Sequence, residues 1–337
     1  METGLRIGLI VRTENCGLGT LSWEFANHLK PTKVLMLSNG VFQPFPDRYS
    51  QFDSKQTVVG KVTEQDMDWL VDGIDVLVGI ETFYEYALIR KARAKGVKTA
   101  LVTMFEMTES QPEEKPDLYI CPSKLDYDVM PNPKVYLPIP FNTDRLVWRQ
   151  RKTATTFVCR ASHGGVNGRK GVGLLIEATK YLQRNVKIII STWQNIRVYD
   201  PRVQVKLINY KNYWQCWQEG DVVIHPQDYN GICLPVQEAF VSGLGVLTTD
   251  IYPFNEYLPK RLMYKHRGLY KTRASANLLE VDAAKIDARD IAAKIDEIAG
   301  TDITQESLAG KKYAEENSWK VLLPQYLKAL TELCNQS

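Results

Sequence analysis

A chain of 337 residues is long enough for two domains, each burying its own core. Its hydrophobic fraction of 44% and charged fraction of 24% are those of an ordinary globular protein, and its six scattered cysteines exclude a disulfide framework or a zinc ribbon. The net charge of +3 is unevenly divided: residues 1–140 carry 15 Lys/Arg against 19 Asp/Glu, the remainder 27 against 20, so the second half is the better home for an anionic ligand.

Short apolar runs alternate with helical patterns along the chain. The first series of strands is expected at Leu5–Val11, Lys33–Ser38, Asp75–Ile80, Val97–Met104, Leu118–Cys121 and Val135–Leu137, with amphipathic helices at Thr20–Leu29 and Phe83–Ala94. Ile7–Val11 is too short for a signal peptide core or a membrane span, which with the unpaired thiols gives a cytoplasmic expectation. Between the first strand and its helix lies the loop RTENCGLGT, where Gly17 and Gly19 would let the backbone approach a ligand. The nicotinamide G-x-G-x-x-G pattern is not completed, because Ser22 occupies its third place and no acidic residue closes the second strand. Glu106 follows the strand ending near Met104 and is expected at the carboxyl edge of the first sheet, with a surface carboxylate as the plainer alternative.

Pro138 and Pro140 lead into a stretch without periodicity, 141–155, which is read as a linker between a domain at 1–140 and a second at 156–316. Arg145, Arg149, Arg151 and Lys152 surround Trp148 there and would suit a polyanion. A second series of strands is expected at Thr156–Arg160, Val186–Thr192, Val203–Ile208, Asp221–His225 and Val246–Thr249. Two such series imply two doubly wound parallel sheets, with ligands beyond the carboxyl ends of the strands. The loop after the first of these strands carries Arg160, Arg169 and Lys170 ahead of a helix starting near Gly171, a set of donors suited to a pyrophosphate. The loop after His225 runs through Asn230, Gly231, Ile232 and Cys233 into a helix opened by Leu234 and Pro235, with Glu238 one turn in. Amide N–H groups at Gly231–Leu234 and the helix dipole would favour an anion or a sugar hydroxyl, and Glu238 could accept from a ribose. An ordinary strand–helix connection would read the same way on local physics.

Further on, Lys260, Arg261, Lys265, Arg267, Lys271 and Arg273 are interleaved with Tyr264 and Tyr270 and no acid, a pattern that can hold a nucleic acid backbone or form a basic surface turn. Residues 317–337 read as a closing helix with Ser318 as N-cap and Trp319, Leu322, Leu323, Tyr326, Leu327 and Leu330 on its apolar face.

The stretch from Asn230 to Val246 resembles the signature of retaining GT-B glycosyltransferases (group 1, family 4-like), Glu-x7-Glu within E-G-F-G-L-P-x-x-E-A-x-x-x-G-x-P-V. Gly231, Leu234, Pro235, Glu238, Ala239, Gly243 and Val246 fall in register. It departs at the first glutamate, which is Asn230, and at the proline, which is Gly245. The resemblance implies a GT-B fold, two doubly wound Rossmann-like α/β domains with a cleft between them, acceptor side first and donor domain second. It implies a sugar nucleotide, most often UDP-linked, as co-substrate, with no metal or other cofactor. Arg160 and Lys170 match the positions that stabilise the leaving diphosphate, Gly17 and Gly19 the glycine loop facing the donor, and Glu106 an acid or histidine near the transferred sugar. The tail resembles the closing helix that returns to the first domain. The acceptor stays open between a saccharide or small molecule and hydroxymethylated bases of DNA, as in phage enzymes. A nucleotide-sugar binder that has lost activity at Asn230 is a second reading.

Overall fold

The computed structural model describes residues 4–14, 16–40, 43–162, 170–208 and 213–336. Arg169 therefore lies outside the described residues. The chain forms two compact units: unit 1 comprises Met1–Pro140, Arg273–Leu279 and Trp319–Ser337, and unit 2 comprises Phe141–Thr272 and Glu280–Ser318.

Unit 1 is a seven-stranded sheet of β1 (Ile7–Arg12), β2 (Lys33–Ser38), β3 (Asp53–Val58), β4 (Val76–Ile80), β5 (Lys98–Val102), β6 (Leu118–Cys121) and β7 (Lys134–Tyr136). The order is β3-β2-β1-β4-β5-β6-β7 and every pairing is parallel. Strand β3, DSKQTV, is an edge strand whose polar sequence hides it from an apolar-run reading. Helices α1 (Gly17–Leu29), α2 (Glu64–Val71), α3 (Ala87–Ala94) and α4 (Lys124–Val129) connect the strands. Helix α3 starts four residues later than the pattern from Phe83 predicts, because Tyr84 is held at φ 59, outside the helical region.

Unit 2 is a six-stranded parallel sheet of β8 (Thr156–Ser162), β9 (Lys187–Thr192), β10 (Val203–Leu207), β11 (Val222–His225), β12 (Gly245–Thr249) and β13 (Met263–Tyr264), in the order β10-β9-β8-β11-β12-β13. Its strands alternate between two cores. Phe157, Cys159, Ile188, Ile190, Val222, Ile224 and Leu247 join Val172 and Leu175 of α5 (Val172–Ala178), while Val158, Ile189, Val223 and Val246 join Val236, Ala239 and Phe240 of α6 (Leu234–Val241). Burial on both faces is why these strands read as continuous Val/Ile runs. A short helix α7 (Phe254–Tyr257) follows, and the polar pattern after Lys260 hides an antiparallel pair, β14 (Leu269–Thr272) with β15 (Val281–Ala284). Helices α8 (Ala288–Ile298) and α9 (Thr304–Glu316) complete the unit.

The closing helix α10 (Trp319–Cys334) belongs to unit 1, where it packs on α1: Phe25 meets Trp319 and Tyr326 edge-on at 5.2 and 5.3 Å, and His28 stacks on Trp319 at 4.2 Å. The Tyr326 hydroxyl donates to the carbonyls of Leu137 and Pro138. The Ser318 hydroxyl donates back to the Glu315 carbonyl.

The segment read as a linker is built into unit 2. Arg151 is only 3% exposed. Its guanidinium donates to the carbonyls of Arg149, Trp217, Gly220 and Ser242 at 2.7 to 3.2 Å, so it is a structural clamp rather than part of a polyanion-binding surface. Burial, with Arg149 alongside, pulls its pKa down to about 10. Replacing it with Met should leave those carbonyls without their donor, at a cost of about 3 kcal/mol. The expected fall in Tm of Arg151→Met is roughly 6 °C or more by calorimetry; a melt within about 1 °C of the parent protein would show that other contacts hold the loops.

Candidate functional site

Each sheet has one switch point, where the strand order reverses and ligands bind beyond the carboxyl ends. In unit 1 it lies between β1 and β4, in unit 2 between β8 and β11.

At the unit 1 switch point the chain leaves β1 at Arg12, which makes a bidentate ion pair with Glu14 at 2.8 Å and lies 5.7 Å over the Tyr84 ring. Glu14 is buried, and the Asn39 N–H also donates to it. Burial alone would raise its pKa, but the bonds from Arg12 and Asn39 hold it below the ordinary carboxylate range. Helix α1 starts at Gly17 with the Cys16 thiol accepting from the Gly19 N–H, and a Cβ on Gly19 would lie 1.9 Å from the Glu14 carbonyl oxygen. Gly19 is thus a requirement of packing, whereas Gly17 is exposed at the helix start. The Arg12–Glu14–Tyr84 cluster was not legible, since two of its members lie in loops without a motif.

Glu106 sits in a single 3-10 turn, Phe105–Met107, just beyond β5 at the sheet's carboxyl edge, and is 0% exposed. Its charge acts on Asp126, also fully buried, which bonds the hydroxyls of Ser123 and Thr103. Burial, reinforced by Glu106, pushes the Asp126 carboxyl up from 3.8 to about 7 against those hydrogen bonds. The native state therefore keeps this proton over a pH window in which the unfolded chain has lost it, so stability from this group is present below the unfolded pKa and lost as pH rises through the folded one. Asp126→Asn should remove that slope. Melting the two proteins between pH 4.5 and 8 should show the parent losing stability relative to the variant across this window; parallel curves would contradict the assignment.

In unit 2 the residue just before α5 meets the residue just after β11. Gly171, at φ 66, precedes α5, and a Cβ there would lie 1.8 Å from the Pro226 carbonyl oxygen. This contact brings Lys170, half-buried, to the end of β11. The charges of Lys170 and Arg160 both act on the buried Cys159 thiol, against the larger effect of burial. Arg160 lies within β8, which runs two residues beyond the expected end, to Ser162; it is buried and donates to the Ser191 hydroxyl and the Cys216 carbonyl. Its guanidinium lies 5.5 Å from the centre of the Trp217 ring. Trp217 in turn donates its indole N–H to the Glu238 carboxylate at 3.2 Å. One buried indole thus connects Arg160 and Glu238, two residues singled out from separate loops.

The turn between β11 and α6 is pinned from β12: the Thr248 hydroxyl donates to the His225 carbonyl and the Thr249 hydroxyl to the Gln227 carbonyl. Gln227 is buried, and its side-chain oxygen accepts from the Asn230 amide at 2.5 Å and from the Cys233 thiol at 3.7 Å. Cys233, at φ 46, occupies a left-handed position ahead of α6 and lies 3.2 Å from His225 Nε2. Gly231 and Ile232 are buried in the same turn, and Leu234 is the first helical residue. Trp217 and Gln227 were missed from sequence; the aromatic-rich run YWQCWQ was the available signal for the first.

The basic run does not gather into one charged surface. Arg261 pairs with Glu306 at 2.8 Å, Arg267 with Asp287 and Asp290, and Lys271 with Asp282 directly across β14–β15. Lys260 and Lys265 are exposed, and Arg273 falls in unit 1. The polyanion reading rested on a linear stretch without acids, and the acids arrive from later elements. Among the described residues no group of His, Cys, Asp or Glu is placed to hold a metal ion, and no helix is long and apolar enough to cross a membrane.

No family model matches the chain, and no curated protein matches it in sequence. Solved structures do match over its length. It is similar to HepE of Anabaena, described in complex with UDP, at 12% identity over 97% of this chain and 100% of that one, with a TM-score of 0.65. A glycosyltransferase from Rickettsia africae matches at 12% identity, 99% of each chain and a TM-score of 0.68. Sucrose-phosphate synthase from Thermosynechococcus elongatus matches at 11% identity, 98% of this chain, 99% of that one and 0.64. The fold is that of the GT-B glycosyltransferases, two Rossmann-like domains with parallel sheets.

The contact at Gly171 separates two effects that a substitution could have. Gly96 also has a positive φ, 71, but nothing lies within 4 Å of an added Cβ. Gly96→Ala should therefore cost about 1 kcal/mol from backbone strain alone, and Gly171→Ala roughly 1–3 kcal/mol more from the clash with Pro226. Equal losses in denaturant unfolding would mean that the two loops do not touch as described.

Proposed function

We propose that this protein is a glycosyltransferase that moves a sugar from a nucleoside diphosphate, UDP, to an acceptor hydroxyl with retention at the anomeric carbon. The observation that carries the proposal is the grouping of Arg160, Lys170 and Glu238 at the unit 2 switch point, with Trp217 between Arg160 and Glu238. A parallel α/β sheet binds nucleotides at that place. The fold shared with UDP-bound HepE supports the choice of ligand.

In this reading the diphosphate lies against Lys170, Arg160 and the amides of Gly231–Leu234 at the start of α6. A fixed guanidinium and ammonium in a poorly hydrated site stabilise the charge that builds on the leaving group, with no reorganisation during the reaction. Glu238, held through one oxygen by Trp217, accepts from the ribose hydroxyls. Asn230 contacts the transferred sugar through a neutral amide positioned by Gln227. Glu106 and the Gly17–Gly19 loop belong to the acceptor-side unit. The acceptor is a saccharide or small molecule, because carboxylates balance Arg261, Arg267 and Lys271, half of the run that would favour DNA.

The substitution at Asn230 supports one second reading, a nucleotide-sugar-binding protein without turnover. The two separate in one set of measurements. UDP and UDP-sugars should raise the Tm, since a ligand bound only by the folded state stabilises it. Lys170→Ala and Glu238→Ala should each weaken UDP binding about tenfold, the loss of one charge-assisted contact, and lower UDP release from the accepted donor. Binding with no release in the parent protein would favour the second reading. Unchanged binding and release in both variants would end the site assignment.

A further inference from the structure

Trp217 is 0% exposed and is fixed from three sides. Its carbonyl accepts from Arg151 at 2.7 Å, its ring face carries the Arg160 guanidinium at 5.5 Å from the centroid, and its indole N–H donates to Glu238 at 3.2 Å. Its neighbour Cys216 supplies a carbonyl to the same guanidinium. We propose that Trp217 is the positioning residue of the donor site, orienting the phosphate-binding arginine with its face and the ribose-binding glutamate with its edge. This rests on the donor-site reading above.

The chemistry of the indole suits both tasks at once. It has one N–H donor and no acceptor, so it bonds a carboxylate and not another donor. Its face is the best of the aromatic surfaces for a planar cation. The ring face bears on the plane of the guanidinium, whereas the Ser191 hydroxyl and the Cys216 carbonyl each take hold of one of its nitrogens. The carboxylate needs the indole N–H because Glu238 is buried on a short helix, where an unanchored side chain would rotate away from a ribose. Each residue binds ligand, and the indole fixes the distance between the two binding elements. Neither Phe nor Leu reproduces that pairing.

The two functions can be removed separately. Trp217→Phe keeps the face and removes the N–H. The KM for the nucleotide-sugar donor, and the Kd for UDP by calorimetry, should rise about tenfold while kcat stays within about twofold. In a Glu238→Ala background, which removes the acceptor, the same change should add less than about twofold, because its effect passes through Glu238. Trp217→Leu removes the face as well and should lower kcat by about tenfold or more, through a misplaced Arg160.

The inference is overturned if the effects of Trp217→Phe and Glu238→Ala multiply in the double variant, or if Trp217→Phe leaves the Kd unchanged. A residue that only fills the core would lower the Tm without this dependence on Glu238. If Trp217→Phe does not fold, the indole N–H resonance of Trp217 in the unaltered protein carries the test: it should move on addition of UDP and move again in Glu238→Gln, and a resonance indifferent to both removes the idea. An unaltered protein that binds no nucleoside diphosphate overturns the donor-site reading together with this one; binding with independent effects overturns this one alone.

Discussion

The guanidinium of Arg151 is the constraint on which unit 2 depends. It draws together carbonyls from the segment before β8, the turn carrying Trp217, the turn before β11 and the end of α6. A buried cation is expensive, and its cost is offset here by hydrogen bonds to four carbonyls gathered in one place. Trp217, whose carbonyl it holds, places its ring against both a cation, Arg160, and a carboxylate, Glu238. The stability of the unit and the geometry of its site are therefore not separable properties.

Most of the parallel-sheet architecture could be read from the chain, because strands buried on both faces leave an unbroken apolar run with no competing pattern. Nine strands are such runs, whereas β7 and β10 are read from their valines although they are half-buried or exposed. The strands that escaped are the ones whose length or surroundings differ: β3 is a polar edge strand, β13 has only two residues, and in the antiparallel pair β14 is largely exposed while β15 is short. Tyr84 broke the amphipathic pattern of Phe83–Ala94 through a backbone conformation, which periodicity does not register.

The candidate site was legible where the chain itself is local. The run from Asn230 to Glu238 carries its own helix start, and Lys170 and Gly171 carry theirs. Trp217 was not legible, because its role is defined by Arg160, 57 positions earlier, and Glu238, 21 positions later. The basic run failed in the opposite way. Its six cations are adjacent in sequence, but Asp282, Asp287, Asp290 and Glu306 come back onto three of them after the chain has turned. Linear charge patterns report density, not balance.

Unit 1 is assembled from three separate stretches, the last of them the helix that packs Trp319 and Tyr326 against Phe25. During synthesis the first 140 residues emerge without the partner for that face of α1, and the partner follows only after the whole of unit 2. The amino-terminal sheet must therefore wait with an apolar face uncovered while the second domain folds, an order opposite to the usual completion of domains one by one from the ribosome. The helix Trp319–Cys334 is in this sense a late piece of the first domain, made only after the second.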